Sequence, residues 1–175
     1  MVKANSTAEL EVIRHYLKCE IGKIANDWAQ TDDCIKILDQ SIESLSEEDA
    51  TRLCVALSYY YRGNALCTLL QKGRNWHLHA IRCSQLFMSG INPEVNPYLE
   101  KYSFNLADFV EYMKADGAKE ERLKEFRDDG RKIMHTEIVV EDQDGKMQII
   151  DGSHRAVVLG IRGNNEISCF VCSNE

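Results

Sequence analysis

The sequence is poor in the residues that interrupt folded structure, and it has no long hydrophobic run. Two prolines and ten glycines among 175 residues exclude a collagen-like repeat and argue against a largely disordered chain. No apolar segment approaches the roughly 20 residues that a membrane-spanning helix needs, and the first eight residues, MVKANSTA, lack the apolar stretch of a signal peptide. We therefore expect a cytoplasmic protein that does not enter a membrane.

A surplus of positive charge is also missing. The chain has 21 Lys and Arg against 28 Asp and Glu, which gives a net charge of −7. Because nonspecific DNA affinity comes from many contacts between basic side chains and phosphates, any contact with nucleic acid is expected to be local. The hydrophobic fraction of 44% and the length are those of one globular domain, or of a small domain with a helical extension.

Seven cysteines are present, an odd number, and most fall on apolar positions of predicted helices. In a chain without an export signal they are typical of free, buried thiols rather than of a disulfide framework. Cys169 and Cys172 form a C-x-x-C pattern inside a predicted strand. A spacing of three places their side chains on opposite faces of a strand, so they suit neither a zinc site nor a redox pair.

The N-terminal half shows helical periodicity. Ser6 to Glu9 matches a capping box, and apolar residues then recur three and four positions apart as far as Trp28. The same spacing predicts three further helices, which run from about Thr31 to Leu45, from Ser46 to Leu69 and from Asn75 to Ser89. His77 and His79 lie two apart in the last of these helices, so they are not expected to share a face or to chelate one metal ion. We predict a helical bundle in this half.

The loop Ile91–Pro97 contains both prolines and is the best candidate for a domain boundary. It divides the sequence into a helical domain of residues 1–97 and a second domain of residues 98–175. Two shorter helices are predicted at the start of the second domain, over Asn105–Lys114 and Ala118–Asp128.

The pattern then changes to strands. Thr136–Val140 and Lys146–Ile150 predict two strands joined by a hairpin turn at Asp142–Gly145. A helix is predicted after the turn Asp151-Gly152, and Glu166–Cys172 predicts one more strand. The predicted fold class is therefore α+β, with an N-terminal helical bundle followed by a small mixed sheet with helices.

The turn Asp151-Gly152-Ser153-His154-Arg155 lies between a predicted strand and a predicted helix. It brings polar side chains and unpaired backbone N–H groups to a helix N-terminus, where the macrodipole favours an anion. Arg155 has the bidentate fork that suits phosphate oxygens, His154 has a ring N–H and Ser153 has a hydroxyl donor. The pattern therefore indicates a phosphate-binding site.

This motif, in the order strand, hairpin, strand, helix, strand, resembles the ParB/sulfiredoxin superfamily, whose members carry Asp-Gly-x-His-Arg or a close variant where a helix follows a hairpin. The resemblance covers residues 125–172 and implies a ParB/sulfiredoxin-like fold there. It also implies triphosphate binding at Gly152, Ser153, His154 and Arg155. Sulfiredoxins have a nucleophilic cysteine where Ser153 stands, and partition ParB proteins usually have Glu-Arg at Ser153-His154.

The resemblance further implies an enzyme that binds ATP or another nucleotide and cleaves a phosphoryl bond with the help of Mg²⁺. The implied catalytic residues are Asp151, His154 and Arg155, and Asp151 is also a candidate Mg²⁺ ligand because carboxylate oxygens suit a hard cation. Arg127 and Arg131, in the helix before the hairpin, are candidates for further phosphate contacts. The chain is similar to the fertility-inhibition proteins of conjugative plasmids, which are ATPases that also nick DNA, so DNA is a second candidate partner.

Alternative interpretations remain open. In a purely structural turn, Ser153 would cap the helix and Arg155 would pair with a nearby carboxylate. The chain would then be a non-catalytic adaptor whose helical half docks on a partner protein. A partition-type DNA-binding protein is a third interpretation, which the net charge disfavours.

Overall fold

A computed structural model of the chain describes residues 5–27, 41–61, 75–88, 105–115 and 136–173. They belong to two compact units, an N-terminal unit of residues Ser6–Trp76 and a C-terminal unit of residues 1–5 and His77–Glu175. The chain passes from one unit to the other within strand β1, Asn5–Thr7, and near the start of strand β2, Asn75–Arg82. Within the described ranges, none of the helices combines the length and the apolar character that crossing a membrane requires.

The N-terminal unit contains helix α1, Glu9–Asp27, and helix α2, Glu47–Tyr61, which pack against each other. Each helix buries an apolar stripe that recurs every three or four residues. The buried residues are Val12, Ile13, Tyr16 and Leu17 on α1, and Ala50, Leu53 and Cys54 on α2. The predicted first and third helices are thus confirmed over these ranges, and the part of the third helix beyond residue 61 lies outside the described residues.

The starts of the two helices differ from each other. Ser46 caps α2, because its hydroxyl accepts a hydrogen bond from the Asp49 backbone N–H at 3.1 Å and donates one to the Asp49 carboxylate at 2.7 Å. The capping box predicted at the start of α1 is wrong. Ser6 and Thr7 belong to β1, and α1 begins only at Glu9.

The segment that leads into α2 is not helical as predicted. Ile42–Ser44 is a single turn of 3-10 helix, and Leu45 has an extended backbone. Ile42 and Leu45 are nevertheless buried, and the carbonyl of Leu45 accepts a hydrogen bond from the Arg14 guanidinium at 3.0 Å. The rest of the predicted second helix, residues 31–40, lies outside the described residues.

The C-terminal unit contains five strands of a six-stranded mixed sheet, in which β1 is the edge strand beside β2. They are β2, β3 (Leu86–Met88), β4 (Ile138–Gln143), β5 (Lys146–Asp151) and β6 (Glu166–Ser173). Their order across the sheet is β2-β6-β4-β5-β3. β4 pairs antiparallel with β5 and parallel with β6, and β3 pairs parallel with β5. The α+β class is confirmed, and so are the three strands predicted after residue 135.

The hairpin between β4 and β5 has a two-residue turn, Asp144-Gly145, in which both residues have positive φ angles, 54° and 85°. This is the turn type that matches the twist of paired strands. Further along the pair, Val140 lies opposite Ile149 but Val139 lies opposite Asp151. β5 therefore has one extra residue, Ile150, which forms a β-bulge next to the end of the strand.

The predicted helix over residues 75–89 is wrong. Residues 75–82 form β2, Cys83–Gln85 form one turn of 3-10 helix, and residues 86–88 form β3. The physical reason is tertiary, because β6 and β5 supply the backbone hydrogen bonds that a helix would have made internally. Strands β2 and β3 thus come from the predicted helical domain 1–97, while the proposed boundary at residues 91–97 lies outside the described residues.

Helices α3, Leu106–Ala115, and α4, Ser153–Ile161, pack against each other. They cover the sheet face that contributes Ile138, Val140, Ile149, Ile167, Cys169 and Val171 to the core. A Cβ atom on Gly160 would lie 2.7 Å from Cγ2 of Val110, so the absence of a side chain there permits the close approach of the two helices. Both helices were predicted, whereas the helix predicted over residues 118–128 lies outside the described residues.

Candidate functional site

The corner between β5 and α4 is the site that the sequence indicates. Asp151 is the last residue of β5, and Gly152 precedes the helix with a left-handed φ of 91°. The carbonyl of Gly152 accepts the first helical hydrogen bond, from the Ala156 N–H at 2.9 Å. Gly152 is the N-cap residue of α4 and contributes no capping side chain. The backbone N–H groups of the first turn therefore receive no hydrogen bond from an N-cap side chain.

Gly152 is required here for two reasons. Its φ angle lies in a region that residues with a Cβ atom rarely adopt. A Cβ at this position would also lie 2.7 Å from Cγ2 of Ile138 and 3.0 Å from Nη2 of Arg155. The backbone of the corner is thus packed directly against the first residue of β4 and against the Arg155 side chain.

Asp151 and Arg155 form an ion pair beneath the corner. Nη2 of Arg155 donates to Oδ2 of Asp151 at 2.6 Å, and Nη1 donates to the carbonyl oxygen of Glu137 at 2.8 Å. The Arg155 side chain is 13% exposed and the Asp151 side chain 2% exposed. The guanidinium therefore connects the end of β5, the first turn of α4 and the residue before β4.

This pairing changes the roles that the sequence suggested for the two residues. The charge of Arg155 is balanced by Asp151, and two of its N–H groups are already engaged. One carboxylate oxygen of Asp151 is likewise bound to Arg155. Among the described residues no group of three or more His, Cys, Asp and Glu side chains is placed to hold a metal ion. Removing one partner of a buried pair leaves an uncompensated charge, which makes the pair a strong structural constraint.

The other two polar residues of the motif remain close to solvent. Ser153 is half-buried and His154 is exposed, and both lie in the first turn of α4. Arg127 and Arg131 lie outside the described residues. The structure thus brings together Gly152, Ser153 and His154 at a helix start whose N–H groups and dipole favour an anion.

Cys169 and Cys172 both lie on β6 and both are fully buried. Cys169 belongs to the core under α3 and α4, and burial raises the pKa of its thiol to about 12. A thiol with so high a pKa remains protonated at neutral pH, and it is neither a metal ligand nor a nucleophile in that form. Because both cysteines lie in a strand, their spacing of three places the two side chains on opposite faces, as the sequence predicted.

A cleft of about 650 Å³ opens at another place in the C-terminal unit. Its lining consists of Arg82, Cys83, Ser84, Ala107, Asn165 and Glu166. The Cys83 thiol donates to the carbonyl of Asn164 at 3.2 Å, and burial raises its pKa. No residue of the Asp151–Arg155 motif lines this cleft, and no sequence motif indicated it.

Two contacts at the corner were not visible in the sequence. The carbonyl of Glu137 lies just before β4 and the side chain of Ile138 is at its first residue, and only the hairpin register brings them to the motif. The pairing of Arg155 with a carboxylate was one of the alternatives that the sequence left open, and the four-residue spacing from Asp151 is its sequence signal.

No protein-family model, no curated protein and no solved structure matches the chain.

Proposed function

We propose that the chain binds the phosphate groups of a nucleotide at the start of α4 and cleaves a phosphoryl bond there, with ATP and Mg²⁺ as the first candidates. One observation carries the proposal. After β5 the helix starts at a left-handed glycine, so the N-cap residue has no side chain with which to cap the first turn. Consecutive N–H groups that follow a left-handed residue form a concave anion site, and the helix dipole adds to it.

In this proposal the phosphate contacts the first-turn N–H groups together with the Ser153 hydroxyl and the His154 ring. Arg155 positions the turn through its bonds to Asp151 and to Glu137. Asp151 acts on Mg²⁺ or on the attacking water only in a state in which its ion pair with Arg155 has opened. Positioning and charge neutralisation would supply most of the rate enhancement, as in other phosphoryl transfers.

The surroundings of the corner support the resemblance that led to the proposal. The order strand, hairpin, strand, helix, strand is present, and β4 and β6 are parallel neighbours. The β-bulge at Ile150 lies one residue before the site, and bulges are frequent beside active sites. On this basis we propose a ParB/sulfiredoxin-like fold for the C-terminal unit, a helical bundle for the N-terminal part, and a cytoplasmic enzyme of the plasmid fertility-inhibition type with DNA as a further substrate.

Nucleotide binding is tested by calorimetry with ATP and Mg²⁺ on the full chain. We expect Ser153→Ala and His154→Ala each to weaken binding by about tenfold or more, because a hydrogen bond to a charged group contributes roughly 1.5–3 kcal/mol. Arg162→Ala is the matched control, since Arg162 is exposed at the other end of the same helix. Equal affinity in all four proteins would contradict the proposed site.

Cleavage is tested separately. Phosphate release from ATP and nicking of supercoiled DNA are measured with Mg²⁺ and again with the metal chelated. We expect Mg²⁺-dependent activity that His154→Ala reduces and Arg162→Ala does not. Binding without cleavage of either substrate would limit the function to nucleotide binding.

A second candidate is the non-catalytic adaptor, and the Asp151–Arg155 pair favours it, because a purely structural turn would use its guanidinium in this way. In that case the N-terminal helices bind a partner protein, and Val55 on α2 is 45% exposed. The adaptor is tested by placing a photo-crosslinker at position 55. One specific cross-linked partner, lost in Val55→Asp, together with no nucleotide binding by the wild-type chain, would favour the adaptor over the enzyme.

A further inference from the structure

His77 and His79 lie on the same face of β2, which reverses the expectation from the sequence. On a helix, residues two apart point in different directions, but on a strand they point to the same side. Ile81 continues this face, while the side chains of Leu78, Ala80 and Arg82 are exposed on the other. The two histidines are therefore neighbours on a strand that is anchored in the sheet by its pairing with β6.

The two imidazole rings are close enough to share a ligand. Their centroids are 6.0 Å apart, and the ring planes are inclined by 57°. Two residues along a strand rise about 6.6–6.8 Å, so the rings converge rather than diverge. Two imidazoles on one tetrahedral ion have centroids roughly 5 Å apart, because each metal–nitrogen bond is about 2.0–2.1 Å long. Small changes in the side-chain dihedral angles would bring the two ring centroids closer by the remaining distance of about 1 Å.

One ring nitrogen lacks the hydrogen bond that its burial requires. Nδ1 of His77 is buried and has no hydrogen-bond partner within the described part of the chain. Buried polar atoms in native proteins are nearly always satisfied, and an exception calls for an explanation such as a bound ion. A metal ion on the pair would also fix which nitrogen of each ring carries the proton, since the nitrogen that does not bind the metal becomes the donor.

We propose that His77 and His79 together bind one divalent first-row transition-metal ion, of the zinc, cobalt and nickel class. Imidazole nitrogen suits these ions, whereas Mg²⁺ and Ca²⁺ prefer oxygen. Among the described residues no third His, Cys, Asp or Glu completes a cluster. Two imidazole ligands leave further coordination positions of such an ion for water or for other donor atoms. This site is separate from the corner at Gly152 and does not depend on the proposed nucleotide chemistry.

The test is a titration of the full chain with Co²⁺ alone, in which binding is measured by ultraviolet–visible absorption and by calorimetry. We expect one ion per chain and no near-ultraviolet thiolate-to-cobalt band, which would reveal binding to cysteine. His77→Ala and His79→Ala should each weaken binding by roughly tenfold or more, because even the loss of an outer-shell partner costs 10–100-fold in metal affinity. Leu78→Ala, on the opposite face of β2, and His154→Ala, on α4, are the controls that should keep the wild-type affinity.

A second measurement on the wild-type chain makes the result independent of how well the variants fold. Co²⁺ should protect His77 and His79, but not His154, from modification by diethyl pyrocarbonate, as read by mass spectrometry. The proposal is overturned if the wild-type chain binds no Co²⁺, if a thiolate band accompanies binding, or if the two histidines are modified equally with and without the ion.

Discussion

Helices α3 and α4 lie side by side on the same face of the sheet, yet their N-termini are built differently. Asn105 caps the N-terminus of α3. Its Oδ1 accepts hydrogen bonds from the N–H groups of Ala107 and Asp108 at 2.9 and 3.3 Å, and its Nδ2 donates to the carbonyl of Ser84 at 2.8 Å. At the start of α4 the residue in the capping position is Gly152, which has no side chain, and the carboxylate of the preceding Asp151 binds Arg155.

The difference bears on the anion site that we propose at the start of α4. The first turn of α3 is satisfied by protein atoms, and Asn105 also ties the helix to the segment before β3. The N-cap residue of α4, Gly152, contributes no side chain to the first turn, while the ion pair and the packing of Gly152 on Ile138 hold the corner in place. A helix start that is held in place but has no N-cap side chain suits the anion site that we propose.

The largest effect is expected from breaking the ion pair under α4. Asp151→Ala should lower the free energy of unfolding by about 3–5 kcal/mol, because Arg155 would remain buried without its anion. The quantity is measured by urea denaturation. The double variant Asp151→Leu/Arg155→Met is the control, since it removes both charges and should recover much of the loss. Equal loss in the single and double variants would show that packing, rather than charge, holds the corner.

The next effect is expected at Gly152. Gly152→Ala should lower the free energy of unfolding for two reasons. A side chain on a left-handed residue costs about 1–2 kcal/mol, and crowding against Ile138 costs about 1–3 kcal/mol. Gly163→Ala is the matched control, because Gly163 has a φ of 94° but nothing within 4 Å of an added Cβ. The difference between the two unfolding free energies measures the crowding alone, and similar values would mean that Ile138 moves away without cost.

Removing the cap of α3 should cost less. Asn105→Ala is expected to lower stability by about 1–2 kcal/mol, because it removes the cap and the bond to Ser84. The same variant should leave ATP binding unchanged if only α4 offers an anion site. A change in ATP affinity in a variant that is as fully folded as the wild type would contradict the proposal that α4, and not α3, offers the anion site.

The smallest effect has the opposite sign. Ser153→Asp places a negative charge in the first turn of α4, which should raise stability by about 0.3–1 kcal/mol through the helix dipole. The same charge should repel phosphate, so ATP binding should become weaker while the thermal midpoint rises. Ser153→Asn is the neutral control. A variant that becomes more stable and binds ATP as well as the wild type would contradict phosphate binding at this helix start.

The C-terminal region was the more predictable part because its signals are local. The Asp-Gly pairs at residues 144–145 and 151–152 mark turns by backbone chemistry, and the two strands on either side of the first turn are short and contain β-branched residues. The segment 75–88 has no such marks. Its apolar residues fit a helix as well as a strand, and the choice is made by β6 and β5, which lie far away in the sequence.

The candidate site was predictable in composition but not in geometry. The motif placed Gly152, Ser153 and His154 at a helix start correctly. It did not reveal that Arg155 turns back to the carbonyl of Glu137, since that contact depends on the register of the hairpin. The histidine pair on β2 was dismissed for a related reason, because an error in the element type changes which side chains are neighbours.

The bulge at Ile150 has a consequence for how this region tolerates insertions and deletions. Because of the extra residue, the number of residues between the hairpin turn and Gly152 is one greater than in a regular strand pair. Adding or removing one residue along a strand moves the side chains that follow to the opposite face. Replacing Ile150 by another β-branched residue should therefore be harmless, whereas deleting it should turn the corner away from Glu137. Length changes in related chains should accumulate at the exposed Asp144-Gly145 tip and spare the three residues that lead into α4.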